Sequence, residues 1–431
     1  MVYISRAITG HFLQMIQQFK VVLITGPRQV GKSTMLTTVM NGKVEYVSLD
    51  DLNELDLAQN DPALFLKNHT VLKNERRAKS YRKSIQREST TKNQRVPILI
   101  DEVQYAPQLF RQLKLVVDRS SAKGQFILTG SQTYHLMKNV SETLAGRICI
   151  LQMHGLSLRE MNGVSFSEPF SVNDDYIASR SKHLLPYNDL WQSIFRGSMP
   201  ALADGSVDWN AFYRSYVQTY IERDVRQLLN VKDAQIFYKF MVGLAARTGQ
   251  LFNASSIAQD LGISVNTVQE WTSVLETSGI IHFLQPFSNN ISKRMIKTPK
   301  MYFFDTGLVC YLVGWSNAKA AQNGAMSGSL FETFVIAEIL KSYYSCGKDV
   351  RNLFYYRDKD KKEIDLLLVE DNVMYPVEIK KTARPNLQMA VDFSVLNKFT
   401  NLKIGTGCIV CQIDKKLYLA ENVVVLPVEY I

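Results

Sequence analysis

The chain has only five cysteines in 431 residues, Cys149, Cys310, Cys346, Cys408 and Cys411. An odd, scattered set fits a reducing cytoplasm better than a disulfide framework. Only Cys408 and Cys411 are close; in GCIVCQI, with no second pair and no nearby His, they read as core residues rather than zinc ligands. The six histidines form no ligand-spaced cluster. No apolar run approaches the roughly 18 residues of a membrane span, so no membrane partner is expected. The start, MVYISRAITGHF, lacks the long apolar core of a signal peptide.

Net charge is +10, but Lys73 to Arg95 alone, with nine Lys/Arg against two Glu, supplies +7 of it. The remainder is only mildly basic. The segment is polar and Ser/Thr-rich, as expected of a mobile insertion that either lies on phosphates or is merely solvated. The length suggests about three domains.

The first third alternates strand and helix patterns, which implies a mainly parallel sheet covered on both faces. Strands are expected at FKVVLIT, VEYVSL, PILI, QFILTG and RICILQM. After the first comes GPRQVGKST, comprising Gly26, Pro27, Arg28, Gln29, Val30, Gly31, Lys32, Ser33 and Thr34, which matches GxxxxGK[ST] at every fixed position. Such glycines let backbone N–H groups and a helix N-terminus face phosphates. Lys32 is expected to reach the β- and γ-phosphates of ATP and Ser33 to coordinate Mg²⁺. PILIDEVQ supplies the acidic strand end: Asp101 for Mg²⁺, and Glu102 to orient or deprotonate the attacking water. In LTGSQ, Ser131 or Gln132 is placed to sense the γ-phosphate, unless both only form a turn. Arg147 in LAGR is either a capping arginine or, in a homo-oligomer, a finger onto a neighbour's γ-phosphate. Arg223 has the same two readings.

Beyond Glu160, NGVSFSEPFSVNDDYIASRSKHLLPYND reads as a linker or irregular insertion. Phe212, Tyr216, Tyr220 and Leu228 then recur at helical spacing and read as packing residues. SSIAQDLGISVNTVQEWTSVLETSGIIHFLQPF has the grammar of a winged helix-turn-helix. Its second helix carries no Arg or Lys, so DNA binding and a structural or protein-contact role both stay open. The basic strip SKRMIKTPK, residues 292–300, is expected to face a nucleic-acid backbone.

Toward the carboxy terminus, EIDLLLV and VMYPVEIK pair around the turn EDN. Alternation puts Ile364, Leu366, Leu368, Tyr375, Val377 and Ile379 on one face and Asp365, Glu378 and Lys380 on the other. A charged hairpin face ordinarily means solvent. Upstream, however, GSLFETFVIAEILKSYY reads as a helix with Glu332 near its start. Glu332, Asp365 and Glu378 in that order can converge on a hydrated divalent metal, with Lys380 positioning or activating water.

That ordered set resembles the PD-(D/E)xK nuclease superfamily, except that Ile364 stands where a proline often precedes the Asp. The whole arrangement, carried by GPRQVGKST, LIDEVQ, LTGSQ with LAGR, YIERDVRQLL, KMYFFDTGL, LFETFVIAEI and EIDLLL with VEIKK, resembles a family of prokaryotic AAA-type ATPases. In that family a phosphate-loop domain precedes a winged helix and a nuclease-like domain of uncharacterised function. The resemblance implies an α/β chain: an AAA-type P-loop domain at 1–160, a linker, helical region and winged helix at 161–290, and a restriction-endonuclease-like domain at 291–431. The expected activity is Mg-dependent ATP hydrolysis coupled to nucleic-acid binding, DNA ahead of RNA, with metal-dependent cleavage as one option. The alternative is an ATP-dependent switch whose nuclease-like domain is inactive. A metabolic kinase is disfavoured, because no recognisable small-substrate pocket accompanies the phosphate loop.

Overall fold

The computed structural model describes residues 3–70, 96–130, 140, 142–186, 189–220, 234–288 and 298–431. The chain forms two compact units, one of Ile8–Met153 and one of Met1–Ala7 with His154–Ile431. Three domains were expected, with the first boundary at residue 160.

In the first unit, five short apolar runs become parallel strands: β1 (Val21–Thr25), β2 (Glu45–Ser48), β3 (Ile98–Asp101), β4 (Phe126–Gly130) and β5 (Ile148–Gln152), in the order β2-β3-β4-β1-β5. β1, β3 and β4 are buried along their whole length. Strands this apolar on both faces need cover from both sides. Helix Gln108–Asp118 buries Leu109, Phe110, Leu113 and Val117, a three- and four-residue spacing that lays one apolar stripe on the core containing Leu23, Ile100 and Leu128. Fully burying each such side chain stabilises the unit by about 2 kcal/mol. β1 therefore sits inside the sheet, and β4 separates it from β3. This order sets the ends of β1 and β3 on either side of the end of β4.

The second unit holds a mixed sheet. β6 (Gln250–Leu251), β7 (Ile281–Pro286) and β8 (Lys300–Phe303) form an antiparallel group with β8 central, and β7 pairs in parallel with β9 (Leu353–Arg357). β9 leads to the hairpin of β10 (Glu363–Glu370) and β11 (Val373–Lys380), with β12 (Lys403–Ile404) and β13 (Gly407–Cys411) both parallel to β11. β14 (Leu417–Ala420) and β15 (Val423–Pro427) complete the sheet. The β7–β9 pairing joins the region after residue 161 to the carboxy-terminal hairpin in one sheet, which is why both lie in a single compact unit.

Helices Ala254–Leu261 and Val265–Thr277 precede β7, joined by a turn with Gly262 at φ 66° and capped by Ser264, whose hydroxyl accepts from Thr267 N at 3.0 Å. Val268, Trp271 and Leu275 are buried, while Asn266, Gln269 and Glu270 are exposed.

The described part of the stretch expected as a linker or irregular insertion is packed. It forms helix Asp174–Ser181 and buries Phe170, Tyr176 and Arg180. Its polar composition is reconciled with burial by hydrogen bonds to backbone: Tyr176 Oη donates to Tyr430 O at 2.7 Å and Arg180 Nη2 to Glu429 O at 2.6 Å. The KMYFFDTGL stretch has a similar logic. Asp305 caps helix Thr306–Leu312 and accepts from Leu308 N, Tyr213 Oη, Ser198 N and Ser198 Oγ within 2.8 Å.

Candidate functional site

Two sites emerge, one in each unit. In the first, the loop after β1 runs from Gly26 into helix Lys32–Val39, with Gly26 at φ 144°, Gln29 at 61° and Gly31 at 89°. A Cβ on Gly26 would stand 1.9 Å from Met153 O, so only glycine lets the loop pass. Val30 and Lys32 are buried, Arg28 and Ser33 half-buried, Gln29 and Thr34 exposed, and Pro27 buried at the turn. The Lys32 ammonium curls back into its own loop, donating to Gly26 O at 3.0 Å and Pro27 O at 2.8 Å. A buried ammonium held by two carbonyls has partners that phosphate oxygens can replace.

Asp101 ends β3, buried, and collects three donors. Ser33 Oγ reaches its Oδ1 at 2.9 Å, Tyr46 Oη reaches Oδ2 at 3.0 Å, and Thr129 from β4 donates to Oδ1. Burial and the neighbouring carboxylate push the Tyr46 phenol up to about 12, so it stays a donor. Ser33 and Asp101 thus offer adjacent hard oxygen ligands, a donor set that fits Mg²⁺. Glu102 follows at φ 56°, a sparsely populated backbone region for a non-glycine residue, with its carboxylate accepting from the Gln104 amide.

In the second unit, the two carboxylates of the charged hairpin face are buried rather than wet, Asp365 6% exposed and Glu378 3%, while Lys380 is part-exposed. The β10–β11 register, Leu366 opposite Val377 and Leu368 opposite Tyr375, agrees with the alternation. The β9–β10 ladder, however, shifts between Ile364 and Leu367, and both residues join one core cluster with Met374. The six-residue apolar face is therefore interrupted beside Asp365, where a bulge re-aims side chains.

Glu332, Asp365, Glu378 and Lys380 are brought together, and Lys300, Glu363 and Tyr302 stand among them. Lys300 Nζ lies 3.0 Å from Glu332 Oε1, 2.6 Å from Glu363 Oε1 and 3.7 Å from Asp365 Oδ1. Lys380 Nζ lies 3.1 Å from Asp365 Oδ2 and 2.5 Å from Glu378 Oε2. Tyr302 Oη donates to Glu332 Oε1 at 2.6 Å and Ile379 N to Asp365 Oδ2 at 2.9 Å. Burial, then the Asp365 charge, raises Glu332 to about 7 and Glu378 to about 9. Burial also opposes ionisation of Asp365, but Lys380, Lys300 and the Ile379 N–H together hold its carboxyl below the usual range. Among the described residues, no group of three His, Cys, Asp or Glu side chains is arranged to hold a metal ion. The carboxylates expected as metal ligands are occupied by two ammonium groups, so as folded they do not fit a divalent ion.

Residues 18–162 match an AAA domain. The match contains the phosphate loop, Asp101 and Glu102, and the unit that carries them has an α/β P-loop fold. Residues 187–319 and 327–431 match two domains of unknown function, DUF8612 and DUF4143. The chain is 28% identical over 414 residues to the uncharacterized protein Rv2008c of Mycobacterium tuberculosis, covering 95% of this chain and 80% of that one. It is 23% identical over 379 residues to an uncharacterized protein of Haemophilus influenzae, covering 85% and 84%. Among solved structures, AMPPCP-bound DnaA from Aquifex aeolicus aligns at 15% identity and a TM-score of 0.23, over 62% of this chain and 85% of that one.

Within the first unit, Arg147 is engaged: its guanidinium pairs with Asp118, Nη2 donating to Oδ2 at 3.2 Å, and Nη1 donates to Ala145 O at 3.0 Å. Ser131, Gln132, Arg223 and the basic segment from Lys73 to Arg95 lie outside the described residues. Sequence reasoning missed Tyr46 on β2 and Thr129 near the end of β4, the two strands that flank β3. It also missed Lys300, which it placed in an outward-facing basic strip and which is 3% exposed. The available signal was a lysine opening the apolar strand KMYF.

Among the described residues, no helix is long and apolar enough to cross a membrane.

Proposed function

We propose that the chain is a Mg-dependent ATPase whose turnover is read out by its carboxy-terminal unit. The observation that carries this reading is the 2.9 Å contact between Ser33 of the phosphate loop and Asp101 at the acidic strand end, inside a unit matched by an AAA domain. Lys32 exchanges the carbonyls of Gly26 and Pro27 for phosphate oxygens. Ser33 and Asp101 would hold Mg²⁺, whose charge would offset that on the phosphates. Glu102, one residue beyond, orients or deprotonates the attacking water, and its release from Gln104 accompanies that role. Fluorescent-nucleotide titration tests the binding half: Lys32→Ala loses Mg-ATP affinity by about a hundredfold, and unchanged affinity would remove the phosphate loop from the account.

Nucleic acid is the partner proposed for the second unit, DNA ahead of RNA, through a winged-helix-like segment at 255–287 and a nuclease-like hairpin. A second reading, in which ATP switches a partner-binding surface and the nuclease-like site does not cut, is favoured by one observation: Lys300 and Lys380 pair with all of the expected metal-binding carboxylates. Cleavage assays on single- and double-stranded substrates with Mg²⁺ or Mn²⁺ separate the two. Cutting that disappears in Lys380→Ala supports a nuclease, and no cutting supports the switch.

A further inference from the structure

We infer that Lys300 is the resident cation of the carboxy-terminal carboxylate cluster, occupying the position a divalent metal would need, so that this site as folded is metal-independent. The inference deepens the switch reading and rests on the nuclease-like interpretation of the cluster. Three carboxylates from two elements, Glu332 on helix Ser327–Ser345 and Glu363 and Asp365 on β10, converge on one ammonium at 3.0, 2.6 and 3.7 Å. The first two contacts are within hydrogen-bond distance, and the third, to Asp365, is electrostatic at a longer range.

Lys300 is fixed there by its backbone as well as its charge. It sits in β8 between two strands, paired with Leu284 of β7 and Leu251 of β6. Its side chain is 4% exposed. Tyr302, two residues on, donates to the same Glu332 oxygen at 2.6 Å and holds that carboxylate toward the lysine. Lys380 takes the far oxygen of Asp365 and one oxygen of Glu378. Glu378 Oε1 is then the one buried carboxylate oxygen of the cluster with no partner among the described residues. The remaining carboxylate oxygens that a divalent ion would draw on are held by Lys300 and Lys380. A divalent ion entering beside Lys300 would also meet a fixed positive charge at contact distance.

The test is Mn²⁺ binding to the full chain without nucleotide, read by the electron-paramagnetic signal of free Mn²⁺. Wild type and Asp365→Asn bind equally, because the cluster takes no metal. Lys300→Met gains an additional Mn²⁺ site, which is lost again in Lys300→Met with Asp365→Asn, and Mn²⁺ raises the melting temperature of Lys300→Met alone. Mn²⁺ binding by wild type that Asp365→Asn abolishes would overturn the inference, as would a folded Lys300→Met with no gained site. If Lys300→Met does not fold, the comparison of wild type with Asp365→Asn still decides. ATP hydrolysis is not part of the readout, so failure here is separate from failure of the ATPase assignment.

Discussion

Ser33 Oγ donates to Asp101 Oδ1 across 2.9 Å, linking the first turn of the phosphate-loop helix to the end of a strand two places away in the sheet. The intervening strand contributes Thr129, which donates to the same oxygen, and Tyr46 holds the other at 3.0 Å. The carboxylate is thereby oriented before any ligand arrives.

Tyr46→Phe removes one of those three donors while keeping the ring. It is expected to raise the Mg²⁺ concentration needed for half-maximal ATP hydrolysis several-fold, corresponding to about 1 kcal/mol. Mg²⁺ titrations of wild type and variant at saturating ATP check this. An unchanged requirement would mean that Tyr46 does not orient Asp101.

Asp305→Ala is expected to destabilise the second unit by at least about 3 kcal/mol, because Ser198, Tyr213 and Leu308 lose a shared buried acceptor. Chemical denaturation followed by circular dichroism measures the loss. A cost near zero would show that these donors find water or other partners.

Stability is also expected to fall in mild acid. Burial lowers His282 to about 4, and burial with the charges of Lys341, His282 and Arg6 lowers His154, stacked 4.0 Å from Phe304, to about 3. Both rings stay neutral in the fold while the unfolded chain protonates near 6.5. The stability they allow is therefore intact above pH 6.5 and is lost as pH falls toward 4. At about pH 5 each histidine costs about 2 kcal/mol. His154→Phe with His282→Phe should flatten the slope of unfolding free energy between about pH 7 and 5; an unaltered slope would assign the acid sensitivity elsewhere.

Much of the first unit was legible because its information is local. Five apolar runs of strand length each became a strand, and Gly26 and Gly31 stand at positive φ where the phosphate-loop pattern requires them. The burial of Phe170 and Tyr176 was not legible, since polar neighbours concealed both aromatics and the hydrogen-bond partner of Tyr176, Tyr430, lies at the far end of the chain. Glu332, Asp365, Glu378 and Lys380 were found by their order, and the structure does gather them. What order cannot convey is the occupant: Lys300 comes from β8, outside the ordered motif, and only the β7–β8 and β8–β6 ladders bring it in. The bulge beside Asp365 was equally hidden, because EIDLLLV alternates in sequence whether or not the neighbouring ladder slips.

The most direct measurement is steady-state ATP hydrolysis by the full chain and by Glu102→Gln, paired with nucleotide binding by both. The account predicts Mg-dependent turnover by wild type, and for Glu102→Gln retained binding with turnover reduced by about a hundredfold or more. Undiminished hydrolysis in Glu102→Gln, or none in wild type that binds Mg-ATP, would contradict it.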